Sequence, residues 1–245
     1  MRLDLATWQE VDDYLKNCDG IIIPTGSTEQ HGPMGFIGTD ALCAEEIARA
    51  AGKKISVYVA PTLAYTPAPF NMAFPGTISI SAPLFEALIS EIISSLKLHG
   101  FKNFYFINGH GANLKPLKNV ANKFLDTNIR IKSWWDFESV NYFRQNSFGD
   151  WEGMHATPSE ISITQVNHRD VPPGDASNPP RKLSPSFIEE HAGDKHGPPD
   201  QHREQFPDGR VGSHSALANS KIGQQLITLA TEALSEDFLR MQKQN

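Results

Sequence analysis

Cysteine, long apolar runs and basic clusters are scarce in this chain of 245 residues. Its two cysteines do not decide the cellular compartment, but the first four residues carry no apolar signal core. No apolar segment approaches the ~20 residues needed to span a bilayer. A net charge of −6 without a Lys/Arg-rich block argues against a nucleic-acid surface. We therefore expect a soluble, reduced, cytoplasmic protein that binds neither membranes nor nucleic acid.

Common catalytic motifs and linkers are missing as well. The chain has no Gly-x-Ser-x-Gly elbow, no Gly-x-x-x-x-Gly-Lys phosphate loop and no complete Gly-x-Gly-x-x-Gly. No run of Ser, Gly or charge divides it, so we predict one domain over residues 1–245. Eight prolines lie between residues 167 and 215. That region is predicted to be mostly loop, with a short helix near 186–191, and to serve as a lid, a binding loop or an assembly surface.

Strand-like and helix-like segments alternate along the chain. Apolar runs predict strands at 20–24, 56–60, 76–79, 103–107 and 129–134. Helical periodicity predicts helices at 41–51 (ending at Gly52), 81–99, 116–125, 157–166 and from 222 onward. The helix at 81–99 carries two adjacent apolar stripes, and a helix this apolar is expected to pack against a sheet. The stripes are Leu84, Leu88 and Ile92, and Phe85, Ile89, Ile93 and Leu96. The alternation predicts an α/β fold with a parallel sheet and helices on both faces.

Candidate metal ligands follow the first predicted strand. Residues 26–32 read Gly-Ser-Thr-Glu-Gln-His-Gly, and Asp40 comes eight residues later. Glu29 and His31 are two apart, so in an extended segment they point to the same side. Open α/β sheets place their chemistry at this end of their strands. The segment alone is equally compatible with a solvated Glu29 and His31 and with an Asp40 that caps the next helix.

His110 is the second candidate, just past the strand at 103–107. It lies between two glycines, which let a backbone approach a ligand closely, and at the sheet edge that receives Glu29, His31 and Asp40. Mixed carboxylate and imidazole ligands suit Zn²⁺, Mn²⁺ or Fe²⁺ better than Ca²⁺. A carboxylate shared by two ions would make a dinuclear hydrolytic site. The alternative is a histidine that serves a turn.

The third candidate segment, residues 151–160, contains His155 and ends in Thr157-Pro158-Ser159-Glu160. Thr157 as N-cap with Glu160 at the third helical position forms a capping box, and locally this structural role of Glu160 is favoured. A further histidine group, His191, His196, His202 and His214, matches no regular ligand spacing. We interpret it as solvated or as an edge of the substrate site.

Taken in order, these motifs resemble the creatininase (creatinine amidohydrolase) family. The resemblance rests on residues 26–32, on Thr39-Asp40, on Asn-Gly-His-Gly-Ala-Asn at 108–113, on His155 five residues before Glu160 and, more faintly, on residues 212–223. It covers nearly the whole chain. It implies a three-layer α/β/α sandwich, two divalent ions (Zn, Mn or Fe) per subunit, a homo-oligomer that is commonly a hexamer, and hydrolysis of a non-peptide C–N bond in a small, often cyclic amide.

The resemblance also implies roles for particular side chains. It assigns one ion to Glu29, Asp40 and His110, and the second to His31 and the shared Asp40. A water activated by the ions would attack the substrate, with His155 and Glu160 as the catalytic, proton-handling pair. The developing oxyanion would be stabilised by the second ion or by His155 as an imidazolium. Trp151 and Phe36 are predicted to bound the substrate pocket.

Ala112 is the main departure from the family pattern. Creatininases proper carry a glutamate here that binds the second metal, so this site is short of one protein ligand. Glu160, His155 and water are candidates to fill the place. Creatinine is therefore not the expected substrate, and the chain is predicted to lie outside the true creatininases. A mononuclear or non-catalytic family member that binds a small ligand is the alternative.

Overall fold

The computed structural model describes residues 1–193 and 195–243. The strands are β1 (Gly20–Thr25), β2 (Tyr58–Val59), β3 (Asn103–Asn108) and β4 (Asn128–Ser133). The α-helices are α1 (Trp8–Leu15), α2 (Thr39–Lys54), α3 (Ala82–Leu98), α4 (Leu114–Ala121), α5 (Glu138–Phe148), α6 (Pro158–Asn167), α7 (Pro185–His191), α8 (Pro199–Gln205) and α9 (Ser220–Lys243). None of the helices in this described part combines the length and the apolarity that a membrane span requires.

The four strands form one parallel sheet in the order β2-β1-β3-β4. The two central strands are buried along their whole length, since their apolar residues face helices on both sides. Their register pairs Thr25 with Asn108, so β1 and β3 end side by side. The parallel sheet predicted from the alternation of segments is confirmed.

Helices cover both faces of the sheet, which makes an α/β/α sandwich. Ile22 and Tyr105 pack with residues of α2, α5, α6 and α9, among them Phe238. Ile21 and Ile23 point to the opposite face and pack with residues of α1, α3 and α4. The alternation of side chains along β1 divides the core in this way.

The two apolar stripes predicted on α3 are buried to different degrees. Phe85 and Ile89 are buried, whereas 57% of Leu84 and 39% of Leu88 is exposed. The prediction that this helix packs against a sheet is confirmed, and the contact is made mainly through the second stripe. A straight helix turns one side to a flat sheet, so the neighbouring stripe faces outward.

Several predicted boundaries differ from the structure. α2 continues past Gly52 to Lys54, and Gly52 is needed inside the helix because a Cβ there would lie 2.4 Å from Cγ2 of Val59. Residues 76–79 form no strand in the described structure, only a bridge between Ile78 and Thr28. The predicted short helix is present as α7. The unpredicted α8 starts with Pro199, because a proline fits the first turn of a helix.

Candidate metal centre

The ends of β1 and β3 bring the first two motifs together. The backbone N–H of Gly109 donates to the carbonyl of Thr25 at 2.8 Å. The side chain of Asn113 donates to the carbonyl of Gly26 at 2.9 Å. These bonds tie the segment that carries His110 to the segment that carries Glu29.

Two glycines let the start of α2 approach this edge. A Cβ on Gly26 would lie 2.2 Å from the backbone nitrogen of Ala41, and a Cβ on Gly109 would lie 2.3 Å from the carbonyl oxygen of Asp40. Both distances are far below a van der Waals contact, so only glycine fits at either position. The close approach places Asp40, in the first turn of α2, between the two strand ends.

Asp40 contacts a different imidazole with each carboxylate oxygen. Oδ1 lies 2.8 Å from Nε2 of His31, and Oδ2 lies 3.0 Å from Nδ1 of His110. Ser27 donates to Oδ2 at 2.8 Å. The Asp40, His31 and His110 side chains are all buried. A buried carboxylate facing two ring nitrogens needs protons or metal ions between them, because lone pairs on both sides would repel.

Glu29 is the second buried carboxylate of the cluster. Its Oε1 lies 3.3 Å from Nδ1 of His110 and 3.6 Å from Nδ1 of His155. Within the described residues, neither of its carboxylate oxygens accepts a hydrogen bond. A buried carboxylate without donors is costly unless a cation neutralises it. The chemistry of this residue therefore fits a bound metal ion.

Each of three histidines is anchored by one ring nitrogen to a backbone carbonyl. The contacts are His31 Nδ1 to Glu29 O at 3.0 Å, His110 Nε2 to Pro67 O at 2.8 Å and His155 Nε2 to Gln30 O at 2.7 Å. A carbonyl only accepts, so the anchored nitrogen carries the hydrogen and the other ring nitrogen faces the carboxylates. This arrangement is typical of histidines that bind metals.

Burial and the neighbouring charges shift the pKa values of these groups. Burial alone would lower the pKa of His31, but the Asp40 carboxylate outweighs it and raises the value to about 10. Burial, followed by the charge of His31, lowers the pKa of His155 to about 4. The lowered pKa favours the neutral imidazole of His155 near pH 7, and its role as an imidazolium stays a prediction. Burial, followed by Asp40, raises the pKa of Glu160 to about 7.

Three sets of side chains place their ligand atoms within 4.8 Å of one another. The sets, drawn from the described residues, are Glu29, Asp40 and His110; His31, Asp40 and Glu160; and Glu29, His31 and His155. The six predicted metal-binding and catalytic residues thus lie in one cluster. Carboxylate oxygens together with imidazole nitrogens form a donor set that suits divalent transition ions.

Glu160 belongs to this cluster and also caps its own helix. The backbone N–H of Thr157 donates to Oε2 of Glu160 at 2.9 Å, and the N–H of Glu160 donates to Oγ1 of Thr157 at 3.1 Å. The predicted capping box is confirmed. The structural and the chemical interpretations of Glu160 therefore do not exclude each other.

A cavity of about 330 Å³ opens beside the cluster. Its lining includes Asp40, His110, His155 and Glu160, together with walls from Leu114, Trp135, Arg144, Met154 and Ile188. Nε and Nη2 of Arg144 donate to Oε1 of Glu152 at 2.9 and 2.7 Å. Sequence reasoning missed Trp135, Arg144 and Ile188. They follow β4 or lie on α5 and α7, and no motif marks them.

The two predicted pocket walls, Trp151 and Phe36, lie elsewhere. Trp151 packs against His214 and under the ammonium group of Lys182, which is 4.5 Å from its ring centroid. Phe36 contacts His168 and Arg169. Neither ring is among the residues that line the cavity. Their role in substrate binding stays a prediction.

Part of the histidine-rich region packs behind the cluster. His196 and His202 contact Phe70, whose ring also contacts His110 and His155. Only 2% of His202 is exposed, and burial lowers its pKa to about 4. Of the two roles expected for this histidine group, burial excludes the solvated one for His202, because Phe70 from the loop at 61–75 covers it.

Comparison with known proteins identifies a family. The family model described as creatininase, creatinine amidohydrolase, matches residues 4–238. A 3-dehydro-scyllo-inosose hydrolase of Thermotoga maritima is 33% identical over 106 residues, 43% of this chain and 34% of that protein. A mycofactocin precursor peptide peptidase of Mycobacterium ulcerans is 34% identical over 110 residues, 41% of this chain and 44% of that protein. The chain thus spans less than half the length of these curated relatives.

Solved structures show the same fold. The crystal structure of a creatinine amidohydrolase (creatininase) matches with a TM-score of 0.78 at 20% identity, covering 96% of this chain and 95% of the other. A manganese form of creatininase and a mutant of the Zn-Zn type each match with a TM-score of 0.76 at 20% identity, covering 96% of both chains.

Proposed function

The chain belongs to the creatininase family, and from this premise we propose that it is a metal-dependent hydrolase acting on a C–N bond of a small molecule. One observation carries the proposal. Three imidazoles, each anchored to a backbone carbonyl, turn their other nitrogen toward two buried carboxylates, one of which has no hydrogen-bond donor in the described residues. A binding module without a metal has no need of this arrangement.

Glu29, Asp40 and His110 would hold one divalent ion, and His31 with Asp40 would contribute to a second. Creatininases solved in a manganese form and in a Zn-Zn form support these metals as candidates. A divalent ion bound there would lower the pKa of a coordinated water from 15.7 to about 7. Both the count of two ions and the roles of these residues are part of the proposal.

His155 is the residue best placed to move the proton of the attacking water. Its Nε2–H is held by the carbonyl of Gln30, and its neutral Nδ1 points into the cluster, where it accepts a proton. The water oxygen then bonds to the substrate carbon while the C–N bond breaks. His155 returns the proton to the leaving nitrogen, which balances the hydrolysis.

The cavity favours a small amide over a folded or extended peptide. Its volume of about 330 Å³ is at the lower end of the range for small-molecule sites. Apolar walls from Trp135 and Ile188 and the guanidinium of Arg144 would contact the rest of the substrate. A peptide is the second candidate, because one of the relatives is a precursor peptide peptidase.

The test is a hydrolysis screen on protein purified without chelator and then loaded with Mn²⁺ or Zn²⁺. Ammonia or amine release is measured from linear amides, cyclic amides and ureides, and short peptides, with the His110→Ala variant as control. We expect turnover of at least one small amide by the loaded protein and none by the variant. Turnover that survives chelation, or protein that takes up no metal, would contradict the proposal.

A further inference from the structure

The second ion of the proposed centre lacks the glutamate that creatininases proper supply. Residue 112 lies in a short 3₁₀ turn after β3, and here it is an alanine whose methyl group offers no donor atom. On the basis of the proposed function, we infer that Glu160, from the first turn of α6, is the protein ligand that completes this second site.

The positions of the two Asp40 oxygens indicate which two of the three ligand sets would hold the two ions. A carboxylate has two oxygens, so a carboxylate shared by two ions can offer one oxygen to each. Oδ1 of Asp40 faces His31 and Oδ2 faces His110, so this carboxylate has the bridging arrangement. Two of the three sets contain Asp40. In these two sets, Glu29 and His110 would bind one ion together with Asp40, and His31 and Glu160 would bind the other, so that no side chain except Asp40 is shared.

The competing choice is His155, in the set with Glu29 and His31. That choice makes Glu29 the shared carboxylate. However, a single oxygen of Glu29, Oε1, faces both His110 and His155, at 3.3 and 3.6 Å. One oxygen turned toward two imidazoles does not have the one-oxygen-per-ion pattern that Asp40 shows. The geometry therefore favours Glu160 over His155.

The capping box fixes the orientation of Glu160 for this task. Oε2 is held by the backbone N–H of Thr157 at 2.9 Å, and the side chain lines the cavity. A carboxylate that binds a metal is itself held by hydrogen bonds in most sites. Thr157 is then a positioning residue, and the proton-handling role predicted for Glu160 from the sequence is replaced by a ligand role.

The test is the number of Mn²⁺ ions bound per chain, measured by elemental analysis after loading with Mn²⁺ alone and gel filtration. Mn²⁺ electron paramagnetic resonance then distinguishes a spin-coupled pair from isolated ions. Glu160→Gln keeps an oxygen that can accept the capping hydrogen bond. Glu10→Gln is the matched control, because Glu10 forms the same capping box with Thr7 on α1, at an exposed position. A double variant, Glu160→Gln with Ala112→Glu, restores a carboxylate at the family position.

We expect two ions and a coupled signal in the parent protein and in Glu10→Gln, one isolated ion in Glu160→Gln, and a return to two in the double variant. Two ions in a folded Glu160→Gln variant would overturn the inference and leave the proposed function standing. No ion in the parent protein would instead refute the proposed function. One ion in the parent, rising to two with Ala112→Glu alone, would also overturn the inference, and that comparison does not depend on the folding of any Glu160 variant.

Discussion

At the scale of single residues, the site depends on which ring nitrogen of each histidine is hydrogen-bonded to a backbone carbonyl. The anchored ring nitrogens of His31, His110 and His155 are held by backbone carbonyls, so the hydrogen-bonded loops set the direction of the second ring nitrogen of each histidine. Substitution of one such histidine removes a ligand without removing a helix or a strand. Its effect on metal content should therefore exceed its effect on folding.

For His110→Ala we expect loss of the ion that Glu29, Asp40 and His110 would hold, and of turnover with it. The variant removes the nitrogen that faces both Glu29 and Asp40. Elemental analysis of purified protein checks this, with circular dichroism to establish that the variant is folded. His99→Ala, at the exposed end of α3, is the matched control and should retain the metal content of the parent. Unchanged metal in His110→Ala would remove this residue from the ligands.

Gly109→Ala should destabilise the protein and impair the site. Its Cβ would lie 2.3 Å from the carbonyl oxygen of Asp40, so α2 or β3 must move, and such overpacking costs about 1–3 kcal/mol. Gly38→Ala is the control, because its Cβ would meet only Leu42 at 3.9 Å. Chemical denaturation measures the free energy of unfolding of both. Equal stabilities for the two variants would contradict the close approach of Gly109 to Asp40.

At the scale of elements, the same local signal has different consequences in different helices. α1 and α6 both start with a threonine cap and a glutamate three residues later. The box on α1 is exposed, whereas Thr157 and Glu160 are buried in the edge of the sandwich. A buried backbone N–H that loses its cap cannot bond to water instead. Loss of the α6 cap should therefore lower the free energy of unfolding more than loss of the α1 cap.

Thr157→Val should lower the free energy of unfolding by about 1–2 kcal/mol, because the N–H of Glu160 loses its acceptor. Thr7→Val, on the exposed box of α1, should cost less. Urea denaturation of the two variants measures the difference. If Thr7→Val lowers the free energy of unfolding as much as Thr157→Val, burial does not make the α6 cap more stabilising than the α1 cap.

Helix α3 allows a direct comparison of its two stripes. Phe85→Ala should cost about 3–5 kcal/mol, because the ring is buried in the core between α3 and the sheet. Leu84→Ala, one residue earlier on the exposed stripe, should change the free energy of unfolding by less than about 0.5 kcal/mol. Guanidinium denaturation tests both. A large, concentration-dependent loss in Leu84→Ala would instead indicate that a second chain covers this stripe.

At the scale of the whole molecule, four distant segments supply the proposed ligands, so a bound ion would connect β1, α2, β3 and α6. A ligand that binds only the folded state stabilises it by mass action. The homo-oligomer and the hexamer implied by the family resemblance stay predictions, as does a single domain over residues 1–245.

Chelation should lower the melting temperature, and reloading with Mn²⁺ should restore it. At a free ion concentration about a thousand times Kd, the stabilisation is about 4 kcal/mol. Differential scanning calorimetry with and without EDTA measures the shift, and His110→Ala serves as the variant whose shift should be smaller. A melting temperature that is insensitive to EDTA in the parent protein would argue against a metal held by the folded state.

The sequence alone was enough to predict the family, the parallel sheet and the six side chains that meet at one edge. Glu29, His31 and Asp40 follow one buried strand and His110 follows its neighbour, and parallel strands end at the same edge. The exposure of Leu84 and the burial of His202 could not be predicted in this way. Each depends on what packs against the side chain: no described residue covers Leu84 fully, whereas Phe70 covers His202.

Local and periodic features can be read from the residues: where strands end, which threonine caps α6, and which residue types stand next to glycines. Three features became visible only in the folded chain: the nitrogen of each histidine that faces inward, the division of the Asp40 oxygens between His31 and His110, and the cavity walls Trp135, Arg144 and Ile188. These features depend on distances between segments far apart in the chain. Backbone packing and hydrogen bonds to carbonyls such as those of Pro67 and Gln30 set those distances.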